Sequence, residues 1–422
     1  MGKRSLAIWW IVILLLGIAV GEAYAQQAID ARAAGMAFSN SAAGYGLEQV
    51  GMNPAMLAFP YGFNFELNLF SGQFSLFNNA LNKAQFDDYF APGRVLSESD
   101  KQQLLQLIPQ SGFQASAGAR VNTLAVASRY FSLALVGMGS GRVQIPREPF
   151  ELALQGNQLG REYRFNNVEG LGWAAAGALF SIGIPLHSAD GYPVTAVGIT
   201  AKYLNGFAYF EVLNSEGRLV TTASGIDLNG RLTARSSEGG QGYGLDFGLV
   251  TRFGARWQLA FSLSNAISRI NWRSNNQLRY FSLKADSLSF PDEFSDSLLV
   301  DEDSSAALGA FSTPLARRLT AAFAYRFSRR TVATGQVELP AGGSSLSRGN
   351  QRLAFGLETS LISLLPLRTG ISLGDNKGLS WALGSGLNLK YWFVDVAVIN
   401  HGGLKNASSR GITLAVSTRF RF

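Results

Sequence analysis

The chain has 422 residues, 47% of them hydrophobic and only 15% charged, with 47 glycines, 12% aromatics and no cysteine. Low charge with this much apolar residue excludes a disordered chain, and the missing cysteines exclude a disulfide scaffold and thiolate chemistry. The formal net charge of +7 invites a nucleic-acid reading. However, the arginines are scattered singly and form no basic run interleaved with stacking aromatics, so nucleic acid is not expected as a partner and the charge is expected to meet lipid phosphates at a membrane surface.

The N-terminus reads as a secretory signal. Lys3 and Arg4 precede the apolar run Leu6 to Val20, and Ala23-Tyr24-Ala25 stands before Gln26. A basic start, an apolar core and an A-x-A site predict cleavage between Ala25 and Gln26; the run is short for an uncleaved anchor. Residues 26–60 follow and are rich in Ala, Gly and Ser, with an Asn53-Pro54-Ala55 turn close to their end.

From there on, the recurring pattern is alternation. GYGLDFGLVTRF (242–253) puts Tyr243, Leu245, Phe247, Leu249 and Phe253 on one face, with glycines, Asp246 and Arg252 mostly on the other. WQLAFSLSN, LTAAFAYRF, LAFGLET and ITLAVSTRFRF repeat the scheme. A strand crossing lipid must satisfy its backbone in a closed sheet, so apolar-out, polar-in segments of about ten residues are the pattern of a transmembrane antiparallel β-barrel. Trp257, Trp272, Trp381, Tyr391 and Trp392 stand near segment ends, where interfacial girdles lie. A large soluble β-sandwich would also alternate, but it would not explain those aromatics.

Fourteen strands are predicted, near 62–77, 113–128, 131–143, 170–184, 194–212, 240–253, 257–272, 315–327, 331–339, 352–363, 367–374, 379–388, 391–400 and 411–422. Short and long gaps alternate between them, as periplasmic turns and outer loops do. DNKG (375–378) is a short outer turn and HSADGY (187–192) a longer inner one, while 213–239 leaves room for a further hairpin. Twelve or sixteen strands therefore stay open. Short helices are expected in the outer loops at 97–109 and 146–156. The last strand closes on Phe420 and Phe422, and a terminal aromatic of this kind resembles the signal that outer-membrane barrels present to their assembly machinery.

If parity holds through the first strand, Phe63, Phe65, Leu67 and Leu69 face lipid, and Asn64, Glu66 and Asn68 face the lumen with Asp246 and Arg252. The polar residues suit anchoring of a plug, whose backbone amides need partners. A one-residue bulge would reverse the faces.

Residues 26–60 resemble the N-terminal hatch of the long-chain fatty-acid transporter (FadL-like) superfamily, in which an Arg-x-x-Gly-Met/Leu segment leads through Asn-Pro-Ala into the first strand. The matching residues are Arg32, Gly35 and Met36, then Asn53, Pro54 and Ala55. Within that superfamily the chain is similar to a group of outer-membrane proteins of Bacteroidetes- or Chlorobi-like bacteria, through segments such as LALQGNQLGREYRF, KYLNGFAY and INHGGLKNASSRGITLAV. The resemblance implies a signal peptide at 1–25, a hatch at 26–60 and a barrel at 61–422, placed in the bacterial outer membrane.

It also implies passive passage of hydrophobic or amphipathic small molecules, with lipid, lipopolysaccharide and the barrel-assembly machinery as partners and no nucleotide or redox cofactor. A monomer is expected. A secretion-associated adaptor and an open porin are the alternatives.

No constellation points to catalysis. The two histidines, His187 and His401, fall in predicted connections on opposite sides of the membrane and read as surface residues without a serine and acid beside them. No phosphate-binding glycine motif or zinc set occurs. The acidic stretch 292–303 reads as a solvated outer loop; its carboxylates could bridge Ca²⁺ to lipopolysaccharide, but EF-hand spacing is absent.

Overall fold

The structure, a computed structural model, describes residues 29–60, 62–189, 192–288, 299–342 and 351–422. The signal segment, with Ala25 and Gln26, lies outside them, as do Asp292, Glu293 and Asp296 of the acidic stretch.

Fourteen antiparallel strands close into a barrel. They are β1 Phe65–Asn78, β2 Phe113–Ser128, β3 Phe131–Ile145, β4 Glu169–Ala189, β5 Tyr192–Thr222, β6 Gly239–Phe253 and β7 Trp257–Ser274. The second half comprises β8 Arg318–Arg326, β9 Thr331–Pro340, β10 Arg352–Ile362, β11 Leu365–Gly374, β12 Leu379–Asn388, β13 Trp392–His401 and β14 Gly411–Arg421. Each pairs with its sequence neighbour, and β14 pairs back onto β1 from Phe77↔Gly411 to Glu66↔Arg421. No edge remains, which is what a sheet in hydrocarbon requires, since no water is there to take unpaired N–H and C=O groups.

Alternation sets the faces. In β10, Leu353, Phe355 and Leu357 point out while Arg352, Ala354 and Gly356 point in; in β14, Ile412, Leu414 and Val416 point out while Thr413, Ala415, Ser417 and Arg419 point in. At the short-turn end, which in barrels of this kind faces the periplasm, Phe420 stacks on Trp392 at 6.2 Å and Phe422 on Tyr391 at 6.1 Å. Trp257 joins this rim from β7, 4.6 Å from Tyr325. Trp272 does not: it is fully buried inside the barrel, its indole N–H donating to Thr313 at 2.9 Å.

Three local departures matter. First, β1 carries a bulge at Leu69, where its register against β14 shifts between Asn68 and Phe70. Leu69 and Phe70 are both exposed, and beyond them the inward set becomes Ser71, Gln73, Ser75 and Phe77. Asn64, expected in the lumen, precedes the strand and is exposed, its backbone N–H bonded to the Phe422 carbonyl at 2.9 Å. Second, β4 and β5 run on to the pair Ala189↔Tyr192, so the inner connection expected at 187–192 is a tight hairpin, with His187 exposed on it. Third, the strand before β9 is broken. Phe311–Thr313 pairs with β7, the chain then leaves the sheet at Pro314, and β8 resumes at Arg318. The interruption is absorbed by side chains of β7, since Ser268 Oγ accepts from Leu315 N–H (3.1 Å) and Asn265 Nδ2 donates to the Ala316 carbonyl (3.0 Å).

On the long-loop side, the outer half of β5 pairs with a strand at Gly225–Ser237, which pairs with Gln277–Leu288 and that with Leu299–Ala307. The stretches 213–239 and 273–314 are thus largely sheet, and only the first had been anticipated as a hairpin. The α-helices among the described residues are α1 Ala31–Gly35, α2 Lys83–Tyr89, α3 Glu98–Leu107 and α4 Glu148–Gln155, with α3 capped by Ser97. No described helix is long and apolar enough to cross a membrane, which says nothing of the strands.

Lipid-facing positions make a direct test. Ile371, exposed near the middle of β11, is expected to lose about 2–4 kcal/mol on substitution by Arg, whereas Phe422→Arg at the rim costs less than about 1 kcal/mol. Urea titration in liposomes, read by heat-modifiable mobility on gels, measures both.

Candidate functional site

Residues 29–59 lie inside the barrel and nearly all are buried. They pack on opposite walls: Ala31, Ala33, Ala34 and Ala37 against Ala382, Ala397 and Ala415, and Ala55, Met56 and Ala58 against Ala196, Val250 and Ala260. Alanine and glycine allow this, because only short side chains let a folded segment and a sheet approach backbone to backbone.

The approach is closest at two sets of glycines. Gly183, Gly198 and Gly248 on β4, β5 and β6 face Pro54–Ala58; a Cβ on Gly183 would stand 2.7 Å from the Ala58 nitrogen, and Gly198 and Gly248 are tighter still against Ala55 and Asn53. Across the lumen Gly356, Gly370 and Gly384 on β10, β11 and β12 receive Gly35, Met36 and Ala37, and a Cβ on Gly370 would meet the Met36 carbonyl carbon at 2.5 Å. The two motifs read from the sequence, around Gly35-Met36 and Asn53-Pro54-Ala55, are the parts that fit these sockets.

Asn53 performs three tasks there. Its Oδ1 accepts from Ala55 N–H (3.0 Å), capping the 3₁₀ turn Pro54–Ala58, while its Nδ2 donates to the carbonyls of Phe261 (3.2 Å) and Leu249 (3.4 Å). Pro54 at the first position of that turn needs no N–H partner. Arg252 lies half-buried over the Phe59 ring at 5.0 Å.

Toward the short-turn end the segment is held by charge. Arg32 makes a two-pronged contact with Glu358 on β10 (2.6 and 2.7 Å) and also bonds Glu48. Arg421 joins Glu48 (2.9 Å) to Glu66, whose other oxygen accepts from the Leu47 N–H at 2.7 Å. Arg419 reaches Asp30 (2.9 Å) and Asp395, and Arg368 links Asp395 (2.5 Å) back to Glu358 (2.6 Å).

Burial would push the Glu48 carboxyl upward. The guanidiniums of Arg32, Arg419 and Arg421 outweigh it and hold the group well below the usual carboxylate range. Farther out, Glu338 sits between Arg318 and Arg352, and Arg352 also donates to the Ala37 carbonyl. Asp246 pairs with Lys202 at 2.8 Å and accepts from the Asn265 N–H at 2.7 Å.

Of the residues expected in the lumen, Glu66, Asn68 and Asp246 are buried and Arg252 half-buried, but only Glu66 and Arg252 contact the N-terminal segment; Asn68 bonds Ser71 on its own strand (2.6 Å). The buried arginines show that part of the positive charge is spent inside the barrel and is not available to lipid phosphates. A charge on an otherwise apolar alternating strand turns inward to find a partner, and Arg368, Arg419 and Arg421 share parity with the inward glycines and alanines of their strands. His401 is likewise buried at the end of β13, between Ser380 (3.0 Å) and Thr413 (2.8 Å), and is not a surface residue.

Between the segment and the long loops one part of the interior is apolar. Ile29, Val50, Val136, Leu179 and Leu204, with Leu315 from the broken strand, enclose a cavity of about 30 Å³ bordered by Arg120 and Lys202. A neighbouring one of about 10 Å³ lies against Trp173 and Ser140. These hold one or two waters each, far below the ~150 Å³ that a benzene-sized guest occupies. No cluster of metal-ligating side chains occurs among the described residues.

A family model described as a family of unknown function (DUF5723) matches residues 54–395. The chain belongs to that family. No curated protein matches it. Among solved structures it resembles the toluene transporter TbuX of Ralstonia pickettii at a TM-score of 0.53 and 10% identity, covering 94% of this chain and 99% of that one. A FadL homologue of Pseudomonas aeruginosa gives 0.54 and 12%, covering 96% and 100%. The monoaromatic hydrocarbon channel CymD gives 0.52 and 10%, covering 96% and 98%. The fold of this DUF5723 chain is therefore that of the FadL-like outer-membrane barrels.

Arg419→Ala leaves buried Asp30 without its arginine and takes one partner each from Glu48 and Asp395. Loss of one partner from such a cluster costs about 3–5 kcal/mol. Hydrogen exchange should show that loss as reduced protection of residues 30–59, with the outer half of β10 unaffected.

Proposed function

We propose that this barrel passes hydrophobic or amphipathic small molecules across the outer membrane, with residues 26–60 as its plug and 61–422 as the wall. The carrying observation is an apolar cavity stacked directly on a separately folded N-terminal segment. Neighbours of the same fold are named as transporters and channels for toluene and other monoaromatic hydrocarbons. A filled lumen argues against an open porin. Because the apolar cavity is too small for a guest, this conformation is the closed one, and passage requires the segment to shift from its glycine sockets.

A non-transporting scaffold, such as a secretion-associated adaptor, is the second reading, favoured by the buried ion pairs that fix the segment to β10 and β14 of the wall. Lipid, lipopolysaccharide and the assembly machinery, through Phe420 and Phe422, are proposed as its surroundings and partners in either case.

Single-channel recording in planar bilayers separates the readings. The mature protein is expected to be silent and the form lacking 26–60 to conduct. Equal conductance of both would exclude a plug. Silence of both would favour the scaffold. Gly370→Leu, which intrudes on Met36 and Ala37, should give intermittent openings.

A further inference from the structure

The charge network leaves three arginines over. At the periplasmic mouth a cavity of about 250 Å³, roughly eight times the volume of one water in the liquid, opens beneath the β8–β9 turn. Its two carboxylates, Glu48 and Glu358, are already engaged by Arg32, Arg368, Arg419 and Arg421. Arg326, Arg329 and Arg330 line the same cavity, and no carboxylate pairs with any of them among the described residues; Arg330 has only a long contact to the Leu361 carbonyl at 3.4 Å. Ser360, Ser363 and Asn388 complete the wall with hydroxyl and amide groups.

Three arginines without carboxylate partners, lining one partly enclosed, polar space, make a site that gains by taking up negative charge. We propose that this cavity is a binding site for a small oxyanion, a phosphate or a carboxylate, held by Arg326, Arg329 and Arg330 at the periplasmic mouth of the barrel. Planar guanidiniums offer paired N–H donors that match the oxygens of either group. The site lies on the opposite side of the N-terminal segment from the apolar cavity, and its occupancy does not depend on the transport reading.

Titration calorimetry on the full mature protein in detergent tests it, with inorganic phosphate, acetate and octanoate as probes. One equivalent of phosphate or of octanoate is expected to bind saturably, and the triple variant R326Q/R329Q/R330Q is expected to bind it at least about tenfold more weakly, as loss of charge-assisted bonds implies. Heat-modifiable gel mobility verifies that the variant is folded. Should it fail to fold, Arg329→Gln alone, an exposed side chain without a partner, is expected to weaken binding severalfold.

Preference for phosphate identifies a free periplasmic oxyanion as the ligand. Preference for octanoate over both acetate and phosphate identifies the headgroup of an amphiphile. No saturable binding of any probe by the wild type, or equal affinity in the folded triple variant, overturns the proposal. Because the readout is binding and not conductance, a negative result here leaves the plug experiment untouched, and a silent barrel leaves the oxyanion site standing.

Discussion

A ring of fourteen strands is wider than the side chains of its own inner face can fill, and most of what is distinctive in this molecule follows from that surplus of space. Closing the sheet solves the problem of unpaired backbone in lipid but creates an interior that must either conduct water or be occupied. Here it is occupied by the chain's own N-terminal residues. They fill it cheaply in steric terms, because glycines on six strands accept Pro54–Ala58 on one side and Gly35–Ala37 on the other. Van der Waals contact alone would leave such a segment free to slide. Arg32, Asp30 and Glu48 fix its orientation, since Arg32 is held by Glu358 of β10 while Asp30 and Glu48 are held by Arg419 and Arg421 of β14, and displacement by one residue would strand several buried charges together.

Much of the wall was legible because lipid imposes a simple grammar. Leu353, Phe355 and Leu357 alternate with Arg352, Ala354 and Gly356 without interruption, and short turns such as 128–131 mark the inner ends. What the pattern hid has physical causes. The bulge at Leu69 is invisible to a parity rule, since two consecutive apolar residues fit either face of the reading. The projecting sheet formed by the outer half of β5 with 225–237, 277–288 and 299–307 is solvated on the long-loop side, so its composition resembles loops. Trp272 and His401 read as interfacial and surface residues because nothing local reveals that their neighbours fold over them.

The filling was only half legible. Asn53-Pro54-Ala55 and Gly35-Met36 stood out as motifs, but their complements, single glycines on distant strands, carry no signal individually. The arginines and carboxylates that hold Asp30, Arg32 and Glu48 likewise look like scattered surface charge until they are placed by parity. Glu358, Arg368, Asp395, Arg419 and Arg421 all fall on inward positions of otherwise apolar strands, and that coincidence was the available clue. Leu315 gave none: it lines the interior because the strand containing it breaks at Pro314 and Asn265 and Ser268 satisfy the released backbone.

The pairing of β14 with β1 has a further consequence, for biogenesis. Arg419 and Arg421, which grip Asp30 and Glu48, belong to the final strand, and Glu66 belongs to the first, so the principal anchors for residues 29–59 straddle the seam. Of these contacts, the pair Arg421–Glu66 exists only once the two ends of the sheet have met. Once they have met, the segment is walled in on all sides and can leave only through the mouth. Completion of the ring thus does two things at one place: it seals the wall, and it brings the arginines of the last strand and Glu66 of the first around the same part of the segment.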